Sequence, residues 1–155
     1  MYAFARRTSS PLLAALLLAA TSRVLAQQPN PAEEERLKKL DAGSKVIDVS
    51  KYPAEQQQAY KLFVAKCATC HVLARGVNTE MVLPGEWERY IKRMMYKPNS
   101  GISGDEGKIL YRFVVYDGSA RKGDLLKKRL AEMPAAERGP VVEKIKGVNP
   151  SFTAP

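Results

Sequence analysis

The stretch with the most chemistry in it is Cys67-Ala68-Thr69-Cys70-His71, which holds both cysteines and the single histidine of a 155-residue chain. Residues three apart on a helical turn share one face, so the two thiols can act together. In an exported protein they could close a disulfide. The same spacing also serves thioredoxin-type redox motifs. The adjoining imidazole favours a third chemistry, because Cys-x-x-Cys-His is the attachment sequence for haem c. Both thiols then reach the two vinyl groups of one porphyrin, and the imidazole projects at the iron. A structural zinc site draws four ligands from Cys and His. This chain offers three such residues, all in one pentapeptide. The expectation is one covalently bound haem c on Cys67 and Cys70, with His71 as an axial iron ligand.

The single histidine restricts what else the iron can do. Bis-histidine ligation within the chain is excluded, as is a second attachment motif. The sixth position falls to methionine, lysine, a weaker ligand, water or nothing. A Met/His pair raises the reduction potential and suits electron transfer. The candidates are Met81, ten residues past His71, the neighbours Met94 and Met95, and Met133 before Pro134. Each could instead serve packing, since methionine fills irregular core gaps.

The elements that must position these residues read as helices. A first core helix is expected after Pro53, a residue suited to a first turn. Tyr60, Phe63, Val64 and Cys67 then recur on one apolar face and run into the motif. Residues 72–84 read as a loop. A second helix is expected after Pro84-Gly85, carrying Trp87, Tyr90, Ile91, Met94 and Met95 on one side and ending before Pro98. Ser103 and Glu106 form a capping-box pattern that opens a third helix. It bears Ile109, Leu110, Phe113 and Val114 and is expected to stop near Asp117-Gly118. A fourth stretch, about 122–133, holds Leu125, Leu126, Leu130 and Met133, and Val141 to Lys146 adds one or two turns. No segment alternates like a strand, so the expected class is all-α, short helices wrapped around one prosthetic group.

Organisation follows from composition. Arg6 and Arg7 precede the apolar run Pro11–Ala20, and Val24-Leu25-Ala26 supplies small residues. That order is expected of a cleaved signal peptide over residues 1–26. The run is shorter than the ~20 apolar residues a membrane-spanning helix needs, and no later segment is expected to cross a membrane. Residues 27–50 read as a polar N-terminal arm with a short helix over Glu33 to Leu40, residues 51–118 as the haem domain, and residues 119–155 as a helical C-terminal extension. Removing three arginines and no acids with the leader leaves 22 Lys+Arg against 16 Asp+Glu, a net charge of +6. Basic residues interleaved with acids speak against nucleic acid and permit steering toward an acidic redox partner. Lys61, Lys66, Lys92 and Lys97 are candidates for that contact.

From about Ala59 to Gly118 the chain resembles small monohaem class I-like cytochrome c domains. Their attachment motif is followed by a tryptophan-bearing helix ending in Arg-Met, a turn and a final helix. Here the pattern reads Cys67-Ala-Thr-Cys-His71, Trp87-Glu-Arg-Tyr-Ile-Lys-Arg-Met94, Gly101-Ile-Ser-Gly-Asp-Glu106 and a helix through Tyr116. The resemblance implies a cytochrome c-like fold with Met94 as the distal ligand. The function it implies is a periplasmic single-electron carrier and not an enzyme. The alternatives are a haem subunit of a larger respiratory or photosynthetic complex, docking through residues 27–50 and 119–155, or an enzyme or gas sensor with an open sixth site. No distal histidine is available for peroxidase chemistry.

Overall fold

The computed structural model describes residues 30–155. The expected signal peptide, residues 1–26, lies outside them. The chain divides into two compact units, residues 1–37 and 38–155. Among the described residues there are seven helices and no strand, so the all-α expectation holds. No helix of the described residues is long and apolar enough to cross a membrane.

Helix α1 (Pro31–Asp41) straddles the division and buries no residue. Its start is fixed locally: Asn30 accepts the Ala32 N–H on its side chain at 3.0 Å. Within the first unit, Arg36 pairs with Glu33 one turn earlier.

The second unit carries the core. Its helices are α2 (Ala54–Cys67), α3 (Ala74–Asn78), α4 (Pro84–Met95), α5 (Gly104–Arg121), α6 (Gly123–Ala131) and α7 (Ala135–Lys146). Helix α5 is the central element and packs against α2, α4, α6 and α7. The Ser103–Glu106 capping box forms as expected. Ser103 Oγ accepts the Glu106 N–H at 3.2 Å, and Glu106 Oε2 accepts the Ser103 N–H at 2.8 Å. Proline opens α4, and Glu86 Oε2 accepts the Val82 and Leu83 N–H groups, both at 3.0 Å, just ahead of its first turn. The other oxygen of Glu86 pairs with Arg129, tying α4 to α6.

Several expectations are corrected. The stretch 72–84 contains a helical turn, α3, too short to show periodicity. It is held from outside: Asn78 Nδ2 donates to the carbonyls of Leu40 and Ser44, and Arg75 pairs with Asp41. Helix α5 does not stop at Asp117-Gly118 but continues to Arg121. Asp117 is buried and accepts from Tyr52 Oη and Arg121, so its carboxylate serves a tertiary network instead of ending the helix. On α5, Leu110, Phe113 and Val114 are buried as expected, whereas Ile109 is exposed. Helix α7 is twelve residues long with Pro140 inside it, longer than one or two turns. A proline there costs a helix hydrogen bond, and burial of Val142 and Ile145 on the core offsets it.

Two regions expected outside the core reach into it. Of residues 27–50, Ile47 is 3% exposed and its N–H donates to Tyr60 Oη, so the end of that segment is anchored. After residue 118, Leu126, Leu130, Ile145 and Phe152 belong to the same hydrophobic cluster as Phe63 and Trp87. Asn149 Nδ2 reaches back to Ser119 Oγ at 2.8 Å.

Candidate functional site

The apolar stripe of α2 delivers Phe63 and Cys67 to one side of a cleft. Phe63 is 2% exposed and tilts against Phe113 of α5, ring centroids 5.2 Å apart. Its position leaves little room opposite: a Cβ on Gly76 would come within 3.1 Å of its ring. Cys67 is the last residue of α2. The carbonyls orphaned at a helix end need partners. Thr69 Oγ1 supplies one, donating to Lys66 O at 2.9 Å and Ala65 O at 3.2 Å. The turn this holds carries Cys70, which is exposed, and then His71, which is half-buried.

His71 is fixed at both ring nitrogens. Its Nδ1 lies 3.0 Å from the Val72 carbonyl oxygen. A carbonyl only accepts, so Nδ1 carries the proton. Nε2 therefore offers its lone pair, and it accepts from Tyr90 Oη at 3.3 Å. An imidazole held by a carbonyl on one nitrogen is the form in which histidine ligates a metal through the other.

Helix α4 faces this wall with Trp87, Tyr90, Ile91 and Met94, all lining the cleft with Cys67 and His71. Leu110 and Val114 of α5 and Ile102 close the remaining side. The cleft is partly open to solvent and its internal space is small, about 30 Å³, room for one or two waters. Trp87 is 4% exposed, and its Nε1 is a buried donor without a partner. Leaving such a donor unpaired costs about 1–3 kcal/mol.

The methionines separate cleanly. Met94 lines the cleft and is not packed onto the hydrophobic cluster. Met95, its neighbour, turns to the α4–α5 crossing, where its sulfur lies 2.6 Å from the position a Cβ on Gly107 would take. Met81 packs on the core, and Met133 sits past the end of α6. Neither lines the cleft.

The structure thus brings together Cys67, His71 and Met94 and leaves Cys70 on the adjacent turn. Tyr90 and the unpaired Trp87 Nε1 are site residues that the sequence showed only as part of a helix stripe. Among the described residues, no three His, Cys, Asp or Glu side chains converge as a metal bound by protein ligands alone would require. Burial pushes the Cys67 thiol up to about 12, so it stays protonated at neutral pH. A thioredoxin-type attacking cysteine needs the opposite shift. Burial likewise raises Tyr90 above the usual phenol value, with Cys67 nearby adding to the shift, and keeps it a donor. Cys67, His71 and Met94 therefore border one small apolar cleft, and a larger group would have to part its walls to enter. No protein-family profile, curated protein or solved structure matches the chain.

Proposed function

We propose that the chain is a c-type cytochrome that carries single electrons, with one haem c on Cys67 and Cys70 and axial ligands His71 and Met94. The observation that carries this reading is the placement of Cys67, His71 and Met94 around one apolar cleft. The residues present suit such a group. Its iron takes four ligands from the porphyrin and asks the protein for only two, which His71 Nε2 and Met94 Sδ can supply. The unpaired Trp87 Nε1 can donate to a haem carboxylate. Phe63, Ile91, Leu110 and Val114, which line the cleft, would give the macrocycle apolar neighbours that exclude water. When bound, haem c supplies a one-electron iron couple, and the protein binds it, orients it and tunes it. A cytochrome c-like fold is part of the same proposal.

The leader-like residues 1–26 and the haem-attachment motif support a periplasmic location. An acidic redox partner would dock at exposed lysines. Lys66 pairs with Glu106 and Lys92 with Glu88, so Lys61 and Lys97 are the better candidates.

The test is attachment and potential. Protein made with a haem-attachment system should keep its haem through a denaturing gel, and Cys67→Ser with Cys70→Ser should lose it. A redox titration should give a positive potential, as Met/His ligation requires. Haem that washes out on denaturation, or a clearly negative potential, would sink this reading.

A further inference from the structure

We propose that Tyr90 is a positioning residue for His71: its hydroxyl holds the Nε2 lone pair in the haem-free chain and gives up that atom to iron. This rests on the haem reading above. His71 lies in an irregular turn, outside any helix and half-buried. Its bond to the neighbouring Val72 carbonyl fixes the tautomer at one nitrogen but moves with the turn itself. The Tyr90 hydroxyl, nineteen residues away on α4, is the contact that ties the ring to the opposite wall of the cleft. Tyr90 is itself held from two sides. Its ring meets Trp87 edge-on at 5.9 Å, and the Arg93 guanidinium lies 5.2 Å from its centroid.

The hydroxyl and a metal compete for one lone pair, so the bond must break when iron binds. At 3.3 Å it is longer than the ~2.8 Å of a strong hydroxyl hydrogen bond. It is strong enough to orient an imidazole and weak enough to be displaced by coordination. Tyr90 and Met94 are one turn apart on the cleft-lining side of α4. The same helix that offers the proposed distal sulfur therefore presets the proximal nitrogen before the cofactor arrives.

The experiment compares wild type with Tyr90→Phe, which keeps the ring and its contacts with Trp87 and Arg93. In haem-free full-length protein, nitrogen-detected NMR reads the two ring nitrogens of His71. Wild type should show one dominant tautomer with a hydrogen-bonded Nε2. In Tyr90→Phe the tautomer ratio should fall by about three- to tenfold, the effect of one modest hydrogen bond. After haem attachment, wild type and variant should give the same histidine-ligated spectrum, because the hydroxyl no longer holds Nε2. Ring-nitrogen shifts that are the same in both haem-free proteins would overturn the role of Tyr90, even where haem attaches normally. A haem-loaded Tyr90→Phe with altered proximal ligation would overturn the release of Nε2. Failure of wild type to attach haem would instead overturn the haem reading, a result the NMR comparison cannot produce.

Discussion

Met94 and Met95 are adjacent in sequence yet are expected to fail in opposite ways when cut to alanine. Full burial makes Met→Ala cost about 2–5 kcal/mol. Met95 is half-buried with its sulfur in the α4–α5 crossing over Gly107, so Met95→Ala should cost about 1–2 kcal/mol. Its side chain does not line the cleft, and the haem spectrum and potential should stay as they were. Met94 faces the cleft and leaves the core untouched, so Met94→Ala should change haem-free stability by under about 1 kcal/mol. In the haem-loaded protein it should lower the potential by on the order of 0.1 V or more, within the roughly 0.8 V that axial ligands span. It should also let carbon monoxide bind rapidly to the reduced form. Gly107→Ala is the control: its new methyl meets the Met95 sulfur, an overpacking worth about 1–3 kcal/mol, without touching the iron. Urea denaturation, redox titration and carbon monoxide binding separate the two residues. A potential that falls in Met95→Ala and not in Met94→Ala would refute the assignment. Equal potentials in wild type, Met94→Ala and Met95→Ala would refute ligation by either methionine.

Trp87→Phe should be tolerated without haem, within about 1 kcal/mol, because it removes an unpaired buried donor along with some volume. In the loaded protein the same change should cost about 1 kcal/mol more, seen as a lower melting temperature, if Trp87 Nε1 donates to a haem carboxylate. Lys122 gives a pH signature. Burial, followed by the neighbouring Arg121 charge, lowers its pKa from 10.5 to about 8. The unfolded lysine keeps its proton to higher pH, so unfolding takes up a proton across this window and stability should rise with pH from about 8 to 10.5. The rise should be about 1–3 kcal/mol by denaturant midpoint, and Lys122→Met should flatten it. Asp117→Asn should destabilise by about 1–3 kcal/mol in the same assay, since it strips the charge that faces Arg121. A loss near zero would mean that Arg121 is screened by solvent.

The helices were largely legible because their signals are local. Pro84 opens α4, the Ser103–Glu106 box opens α5, and apolar stripes mark α2, α4 and α5. Errors fell where a distant partner overrides a local signal. Asp117-Gly118 looks like a stop until Tyr52 and Arg121 are seen to occupy the carboxylate. The one or two turns expected from Val141 belong to a helix that starts at Ala135 and runs through Pro140, with Val142 and Ile145 on the core. Ile47 looks like part of an arm until Tyr60 is found bonded to its backbone.

The candidate site divides the same way. The sequence by itself determined which groups stand together as Cys67, Cys70 and His71, because their spacing is covalent and survives any fold. It also determined that one histidine is available and that any second iron ligand is another kind of residue. Spacing left Met94 and Met95 open, since both lie on the apolar side of one helix, and only the resemblance favoured Met94. Tertiary structure sets the two apart: rotation of α4 about its axis puts Met94 along the cleft and the Met95 sulfur over Gly107. Tertiary structure also brought Tyr90 to His71 and buried the Trp87 N–H without a partner. Helix rotation is fixed by packing against α5, and no spacing along one chain segment encodes it.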